Sequence, residues 1–259
     1  MTFRFGSFDG LAVRHAMSMR RPDAPSEGDI AFARDTIPEH IAQNRAAFLD
    51  SAGFDGNALT LGRQIHGSRI SVVTSADRGR GRPPDFDAIP NSDGLITTAT
   101  DVVLGTIVAD CVPILLYDPV QHALGLVHAG WRGTVAGIAR NAVHNMAGAF
   151  GSRPADLHVG IGPSIGPCCY EVGAEVIDAW ISAGTPDAQR AVVPREPRPH
   201  LDLWQANRLT LIDAGVPCDN IELGNVCTRC QSTSYFSHRA AMAGERARGR
   251  MIMVAQLTG

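Results

Sequence analysis

The sequence contains no lysine, so arginine supplies all 23 basic residues of the 259-residue chain. Schiff-base catalysis, a Walker-type phosphate loop and a lysine general base each need the ε-amine, so all three are excluded. A substrate anion must therefore be bound by arginine side chains, by backbone N–H groups or by a metal ion. An arginine-rich codon bias is the simpler cause of the absence, but the chemical exclusion holds either way.

Long hydrophobic runs are also missing. No window approaches the roughly 18 apolar residues of a membrane span, and the first residues, MTFRFGSFDG, lack the apolar core of a signal peptide. The formal charge of -3 gives no general attraction to nucleic acid or to acidic lipid. We therefore expect a cytoplasmic protein that acts on small molecules, has no nucleic-acid or membrane partner, and is a monomer or a weak homo-oligomer.

Histidine pairs of the HxH type do not occur among the nine histidines. Multicopper oxidation requires a type 1 copper and a trinuclear cluster, which together draw on many such pairs. True laccase activity is therefore not expected.

Six cysteines are too few for a disulfide scaffold in a chain of this length, so we expect thiols that are available for chemistry. Cys227 and Cys230 form a CxxC motif, but no second CxxC or HxxxH accompanies it. Neither a structural zinc site nor a redox role is expected for this motif alone.

Short apolar runs and helical patterns alternate along the chain, which predicts an α/β protein. Helices are predicted at residues 38–52, 134–150, 173–183 and 203–214. Strands are predicted at residues 70–74, 94–97, 102–109, 112–117, 123–128, 157–161, 221–226 and 252–257. The first 33 residues show little pattern, and residues 77–90 predict a mobile surface loop. No repeat or linker divides the chain, so one domain is expected over residues 1–259.

Three residues at the ends of short apolar runs form the main candidate site: His66, Cys111 and His128. Imidazole and thiolate both suit zinc, and three protein ligands with one open position are typical of a catalytic site. Strand ends present side chains to a cleft, which favours a shared site. The alternative is that each is a packed core residue, since histidine and cysteine in apolar runs are often buried.

A glycine-framed turn, residues 129–133, follows His128 in the sequence. Gly130 and Gly133 allow close backbone approach and a positive φ, and a helix beginning near Thr134 directs its N–H groups to the same region, where an anion can bind. The stretch at residues 160–166 has the spacing GxGxxxG and prolines where a helix should begin, so it does not fit a dinucleotide fingerprint. It is better interpreted as a rigid turn that carries residues 168–170.

Seven motifs occur in order over residues 63–240: RQIHG, ADCVPILLYDP, HAGWRGT, GIGPSIGPCCYEVG, LDLWQANR, CTRC and YFSHRA. Together they resemble the YfiH-type laccase-domain family, also called the polyphenol oxidase or purine nucleoside phosphorylase family. The resemblance implies a single-domain layered α/β/β/α sandwich with mixed sheets. It implies Zn²⁺ bound by His66, Cys111 and His128, and Cu²⁺ can occupy the same ligands.

The resemblance also implies phosphorolysis of adenosine, inosine and methylthioadenosine, and deamination of adenosine to inosine. Zinc would lower the pKa of a bound water toward about 7 for attack on the purine C6. For phosphorolysis, Arg132, with Arg63 and Arg239, would hold the phosphate that attacks the anomeric carbon. Asp110 is a candidate general base, or alternatively a buried acceptor that fixes the Gly130 turn.

Two departures from the family pattern concern the substrate pocket. Residues 18–36 lack the usual glycine- and asparagine-rich loop, and YFSHRAAMAG replaces FFSYRRDG, so only Arg239 of an arginine pair remains. Three alternatives stay open. The first is a metal-free thiol hydrolase with Cys111 as nucleophile and His128 as base. The second is an editing enzyme for a cell-wall precursor, acting on a nucleotide-linked amino sugar, and the third is a non-catalytic scaffold.

Overall fold

The computed structural model describes residues 2–33, 36–82 and 87–259. Its α-helices are α1 (Pro38–Ala52), α2 (Trp131–Val135), α3 (Ile138–Phe150), α4 (Ala174–Ser182), α5 (Leu203–Asp213) and α6 (His238–Met242). Its strands are β1 (Thr2–Phe3), β2 (Val13–Ser18), β3 (Leu59–Leu61), β4 (Ile70–Val72), β5 (Gly94–Thr97), β6 (Val103–Val108), β7 (Val112–Asp118), β8 (Ala123–Ala129), β9 (His158–Ile161), β10 (Val192–Val193), β11 (His200–Leu201), β12 (Ile221–Leu223) and β13 (Met251–Leu257).

Most of the predicted elements are confirmed. The helices expected at residues 38–52, 173–183 and 203–214 are α1, α4 and α5, and each expected strand overlaps an observed one. The prediction of a single helix at residues 134–150 is wrong, because the chain forms α2 and α3 on either side of a break. Gly137 has a φ of 73° at this break, a left-handed conformation that cannot continue a right-handed helix.

The first 33 residues are more regular than the sequence predicts. They contain β1 and β2, which pair antiparallel, and β2 pairs in turn with β13. The pattern of β2 is obscured because its buried positions include the polar residues His15 and Ser18. Alternation of apolar and polar residues, the usual signal of a half-buried strand, is therefore absent there.

Two mixed sheets form the centre of the molecule. The five-stranded sheet has the order β1-β2-β13-β6-β3, and the six-stranded sheet has the order β12-β9-β7-β8-β5-β4. The pairs β3–β6, β4–β5 and β9–β12 are parallel, whereas the other pairs in these two sheets are antiparallel. A separate hairpin joins β10 to β11.

The two sheets face each other and carry helices on their outer faces, so the predicted α/β/β/α layering is confirmed. Alternation along β7 shows this directly: Leu115 and Tyr117 lie in the core between the sheets, whereas Ile114 and Leu116 contact the core under α3, α4 and α5. On the other side, α1 packs Phe48 against the outer face of the five-stranded sheet. Side chains on both faces of each sheet are thus buried, as in other layered α/β proteins.

The described part of residues 77–90, predicted to be a mobile surface loop, is hydrogen-bonded to β3. The N–H of Leu61 donates to the carbonyl of Arg80 at 2.9 Å, and the N–H of Ile89 donates to the carbonyl of Leu61 at 2.8 Å. Residues 83–86 lie outside the described residues. Among the helices of the described chain, none is both long enough and apolar enough to cross a bilayer.

Candidate active site and metal centre

Two of the three candidate ligands lie in connections between the sheets, and the third lies in a strand of the six-stranded sheet. His66 lies in the segment between β3 and β4, Cys111 lies in the turn between β6 and β7, and His128 lies near the end of β8. Because β6 belongs to one sheet and β7 to the other, Cys111 is placed where the chain crosses between them. His128 is buried, Cys111 is half-buried and His66 is exposed, so the cluster runs from the interior to the surface.

The donor atoms of His66, Cys111 and His128 all lie within 4.8 Å of one another. The two imidazole rings meet edge to face, with ring centroids 4.9 Å apart. Gly130 leaves the room for this cluster: a Cβ there would lie 3.0 Å from Cδ2 of His66 and 3.1 Å from Sγ of Cys111. Two imidazoles and one thiolate are a donor set that suits zinc or copper, so the residues fit the metal that the motifs imply.

Asp93, a residue that the sequence analysis did not select, organises this cluster. Its Oδ1 lies 2.9 Å from Nδ1 of His128, and its two oxygens accept the backbone N–H groups of Ile65, His66 and Gly67 at 2.8–3.1 Å. These bonds hold His66 at a φ of 61°, which is unusual for a residue with a side chain. A carboxylate bonded to one ring nitrogen leaves the other nitrogen to face a metal.

The charges of the cluster stabilise one another. Burial opposes ionisation of the Cys111 thiol, but hydrogen bonds from His128 and His66 lower its pKa to about 7. Burial likewise favours the neutral form of His128, but the hydrogen bonds to Asp93 and Cys111 raise its pKa to about 9. The lowered pKa increases the fraction of Cys111 that is thiolate at neutral pH, and the thiolate is the form of cysteine that binds metals and acts as a nucleophile.

A cavity of about 580 Å³ opens onto the cluster. Its wall includes the three ligands and Arg63, together with residues the sequence analysis did not select: Phe32, Gln64, Ile107, His238 and Arg250. A second cavity of about 480 Å³ shares Ala109, His238 and Arg250 with it, so the two are neighbours. Both volumes lie in the range of small-molecule sites, roughly 300–1,000 Å³.

Of the three arginines predicted to bind phosphate, only Arg63 lines the larger cavity. Arg132 stacks on Trp131, with its guanidinium carbon 4.4 Å from the ring centroid. Arg239 stacks on Tyr170 at 5.3 Å and donates from Nη1 to the carbonyl of Glu171 at 3.0 Å. Burial and the charge of Cys111 raise the pKa of Tyr170, and the charges of Arg239 and Arg132 act to lower it, so both arginines lie near Tyr170.

Asp110, the candidate general base, is a buried hydrogen-bond acceptor. Its Oδ1 accepts the hydroxyl of Thr228 at 2.6 Å, and its Oδ2 accepts the hydroxyl of Ser237 at 3.0 Å and the N–H of Arg239 at 2.7 Å. It is not among the residues that line the larger cavity. These contacts favour the acceptor interpretation, although the segments it fixes are those of Thr228 and Arg239 rather than the Gly130 turn.

The turn after β8 differs in detail from the expectation. Gly130 has a φ of -74° and Gly133 lies inside α2, so the predicted positive φ is wrong at both positions, whereas the predicted close approach is confirmed. The helix begins at Trp131 rather than near Thr134, and α2 is only five residues long. A Cβ on Gly133 would lie 2.8 Å from the carbonyl oxygen of Gly67, so α2 packs directly on the His66 segment.

Comparison with known proteins matches nearly the whole chain to one family. Residues 17–258 match the family described as multi-copper polyphenol oxidoreductase laccase. The chain is 36% identical over 235 residues to purine nucleoside phosphorylase YlmD of Geobacillus stearothermophilus, covering 90% of this chain and 85% of that protein. It is 34% identical to adenosine deaminase RL5 from an unknown prokaryotic organism, covering 82% of this chain and 84% of that protein.

Solved structures show the same architecture. The crystal structure of YlmD from Geobacillus stearothermophilus matches with a TM-score of 0.91 and 32% identity, covering 98% of this chain and 94% of that chain. The structure of the YfiH protein of Bacillus licheniformis matches with a TM-score of 0.89, also at 32% identity, covering 95% of this chain and 93% of that chain. The chain therefore belongs to the YlmD/YfiH family of laccase-like proteins, whose relatives include purine nucleoside phosphorylases.

Proposed function

We propose that this protein is a zinc-dependent purine nucleoside phosphorylase that acts on adenosine, inosine and methylthioadenosine and also deaminates adenosine. The observation that carries the proposal is a three-ligand cluster, His66, Cys111 and His128, that lies on the wall of a cavity of about 580 Å³. Three ligands beside a substrate-sized space are typical of a catalytic metal site. The names of the relatives, phosphorylases and one deaminase, support the same reactions.

Each residue of the cluster has a defined part in the proposal. His66, Cys111 and His128 hold the metal, which supplies Lewis-acid activation of water when it is bound. Asp93 is a positioning residue: it keeps the proton of His128 on Nδ1 and fixes the backbone of His66. Asp110 positions Thr228 and Arg239 rather than acting as a base.

The substrates are bound by the walls of the same cavity. The apolar side chains of Phe32, Leu61 and Ile107 suit the faces of a purine ring. Arg63 and Arg250 place positive charge in the cavity and suit phosphate, which must be bound without any lysine. Arg132 and Arg239, on the Tyr170 side, are proposed as a second position for phosphate oxygens.

A metal-free thiol hydrolase is a second candidate because the contacts of Cys111 favour it. Hydrogen bonds from His128 and His66 already lower the pKa of the Cys111 thiol to about 7 without a metal. In that mechanism Cys111 would attack the substrate directly, with His128 as its proton carrier.

A cytoplasmic location and a monomeric or weakly associated state remain part of the phosphorylase proposal.

The test is product analysis by chromatography after zinc-loaded protein meets adenosine, with and without phosphate. We expect adenine and ribose 1-phosphate only with phosphate, and inosine and ammonia without it. Cys111→Ala should give neither, whereas Cys218→Ala, which changes an exposed cysteine outside the cavity, should keep both activities.

Two other outcomes would count against the proposal. Turnover that survives a chelator but is abolished by iodoacetamide would favour the thiol hydrolase. Absence of any turnover of adenosine, inosine or methylthioadenosine would reject the nucleoside substrates, and the next assay would use a nucleotide-linked amino sugar.

A further inference from the structure

Four cysteines lie together at a second place in the fold. Cys168 and Cys169 follow β9, and Cys227 and Cys230 follow β12. Since β9 and β12 are neighbouring parallel strands, the segments that leave them meet at one edge of the six-stranded sheet. The CxxC motif does have partner ligands, because the fold brings the adjacent pair of cysteines to it.

The sulfur atoms are arranged as a group of four. All four Sγ atoms lie within 4.8 Å of one another, and Sγ of Cys230 lies 3.4 Å from the sulfurs of both Cys168 and Cys169. Four thiolates at about 2.3 Å from a tetrahedral zinc ion would lie roughly 3.8 Å apart. A disulfide would instead pair two sulfurs at about 2 Å, and here one sulfur is equally close to two others.

Backbone N–H groups favour the thiolate of Cys227, whereas burial and the neighbouring thiols raise the pKa values of Cys168 and Cys169. The N–H groups of Cys230 and Gly166 hydrogen-bond the sulfur of Cys227. Two arginines lie near the cluster: Arg229, inside the CxxC motif, is paired with Glu245 at 2.6 Å, and Arg195 donates to the carbonyl of Cys168 at 3.3 Å. Four thiolates and one divalent cation leave a net charge of -2, which Arg195 partly balances.

We propose that Cys168, Cys169, Cys227 and Cys230 form a second, structural site for a thiophilic divalent cation of the zinc class, separate from the His66–Cys111–His128 centre. Closed sites of four cysteine ligands contribute to folding rather than to chemistry. The proposal is independent of the reaction catalysed at the first centre.

The site would join two segments that support the first metal centre. Thr228, inside the CxxC motif, donates its hydroxyl to Oδ1 of Asp110 at 2.6 Å and its N–H to the carbonyl of Ser164 at 3.0 Å. The N–H of Ile165 donates to the carbonyl of Asp110 at 3.0 Å. A cation that fixes both turns therefore fixes Asp110, the residue next to Cys111.

The experiment counts cobalt, a spectroscopic substitute for zinc, in protein reconstituted anaerobically with reductant and then desalted. We expect two ions per chain in the wild type, one in Cys111→Ala, one in Cys230→Ser and none in the double variant. Cys218→Ser is the matched control and should keep two. The ion retained by Cys111→Ala should show the strong sulfur-to-metal absorption of a four-thiolate site.

A second measurement guards against misfolding of Cys230→Ser. In cobalt-loaded Cys111→Ala, a thiol-alkylating reagent should modify Cys218 and leave the other four cysteines protected until a chelator is added. One ion in the wild type and none in Cys111→Ala would overturn the proposal. Rapid alkylation of all four cluster cysteines in loaded protein, or a mass lower by two hydrogens that reveals a disulfide under reductant, would overturn it equally.

Discussion

Oδ1 of Asp93 lies 2.9 Å from Nδ1 of His128 and also accepts the backbone N–H of His66 at 2.9 Å. One buried carboxylate oxygen therefore orients two of the three proposed metal ligands. The third ligand, Cys111, is not bonded to Asp93 but receives hydrogen bonds from both histidines. The geometry of the proposed centre thus depends on a residue outside the set of three ligands.

We predict that Asp93→Asn lowers zinc affinity by about 10- to 100-fold, the usual effect of losing a carboxylate that orients a histidine ligand. Competition with a chromophoric chelator measures the affinity. Asp50→Asn, on the exposed face of α1, is the control and should bind zinc like the wild type. Equal affinity of all three proteins would show that Asp93 is not needed to position the ligands.

A substitution at Gly130 tests whether the His66–Cys111–His128 cluster needs the space that this glycine leaves. Gly130→Ala places a Cβ 3.0 Å from Cδ2 of His66 and 3.1 Å from Sγ of Cys111, so we expect the variant to fold but to bind zinc weakly. Gly148→Ala, in α3, meets no atom within 4 Å and should gain roughly 0.5–1 kcal/mol of stability from its higher helix propensity. The metal content and thermal unfolding of both variants are the measurements. Normal zinc binding by Gly130→Ala would show that the cluster does not need the space beside Gly130.

Arg63 is predicted to bind phosphate in the cavity. Arg63→Met should raise the KM for phosphate by roughly 10-fold or more, because a charge-assisted hydrogen bond contributes about 1.5–3 kcal/mol. Arg69→Met, an exposed arginine of the same segment that does not line the cavity, is the control. Arg132→Met tests the second proposed phosphate position, which lies near Tyr170. An unchanged phosphate KM in Arg63→Met together with a raised one in Arg132→Met would move the phosphate to that position.

We predict that the folded protein loses stability in acid because of His15, independently of the proposed metal site. Burial, followed by the charge of Arg4, lowers the pKa of His15 from 6.5 to about 4, and Nε2 accepts the N–H of Phe5 at 2.8 Å. Between these values the unfolded chain binds a proton that the folded chain does not. Stability should therefore fall by about 3 kcal/mol as pH drops from above 6.5 to about 4, and this contribution should then level off.

The measurement is denaturant unfolding of wild type and His15→Gln at pH 7.5 and pH 4.5, both with chelator so that metal release does not contribute. Glutamine keeps an acceptor but does not titrate. We expect the wild type to lose more stability than the variant over this range. An equal loss in both proteins would rule out His15 as the source.

The sequence predicted elements whose patterns are continuous and missed features that depend on distant residues. The apolar runs of β7 and β8 and the helix α1 were predicted because each pattern lies within one segment. His66, Cys111 and His128 were predicted because their donor types suit one metal. Asp93 was missed because an aspartate in the turn NSDG is ordinary turn chemistry until His128 is placed beside it.

The four-cysteine cluster was missed for a similar reason. Cys168 and Cys230 are separated by 62 positions in the chain, and only the pairing of β9 with β12 brings them together. Spacing rules for zinc ligands recognise two close pairs of a standard type, whereas one pair here is adjacent in sequence.

The central position of β13 has a consequence for how the chain is made. β13 pairs with β2 on one side and β6 on the other, so residues 251–257 lie between strands that are synthesised far earlier. The five-stranded sheet cannot close until these residues leave the ribosome, and until then β2 and β6 expose unpaired edges. Contacts between such distant segments form slowly, which makes the nascent chain a candidate for chaperone binding during translation.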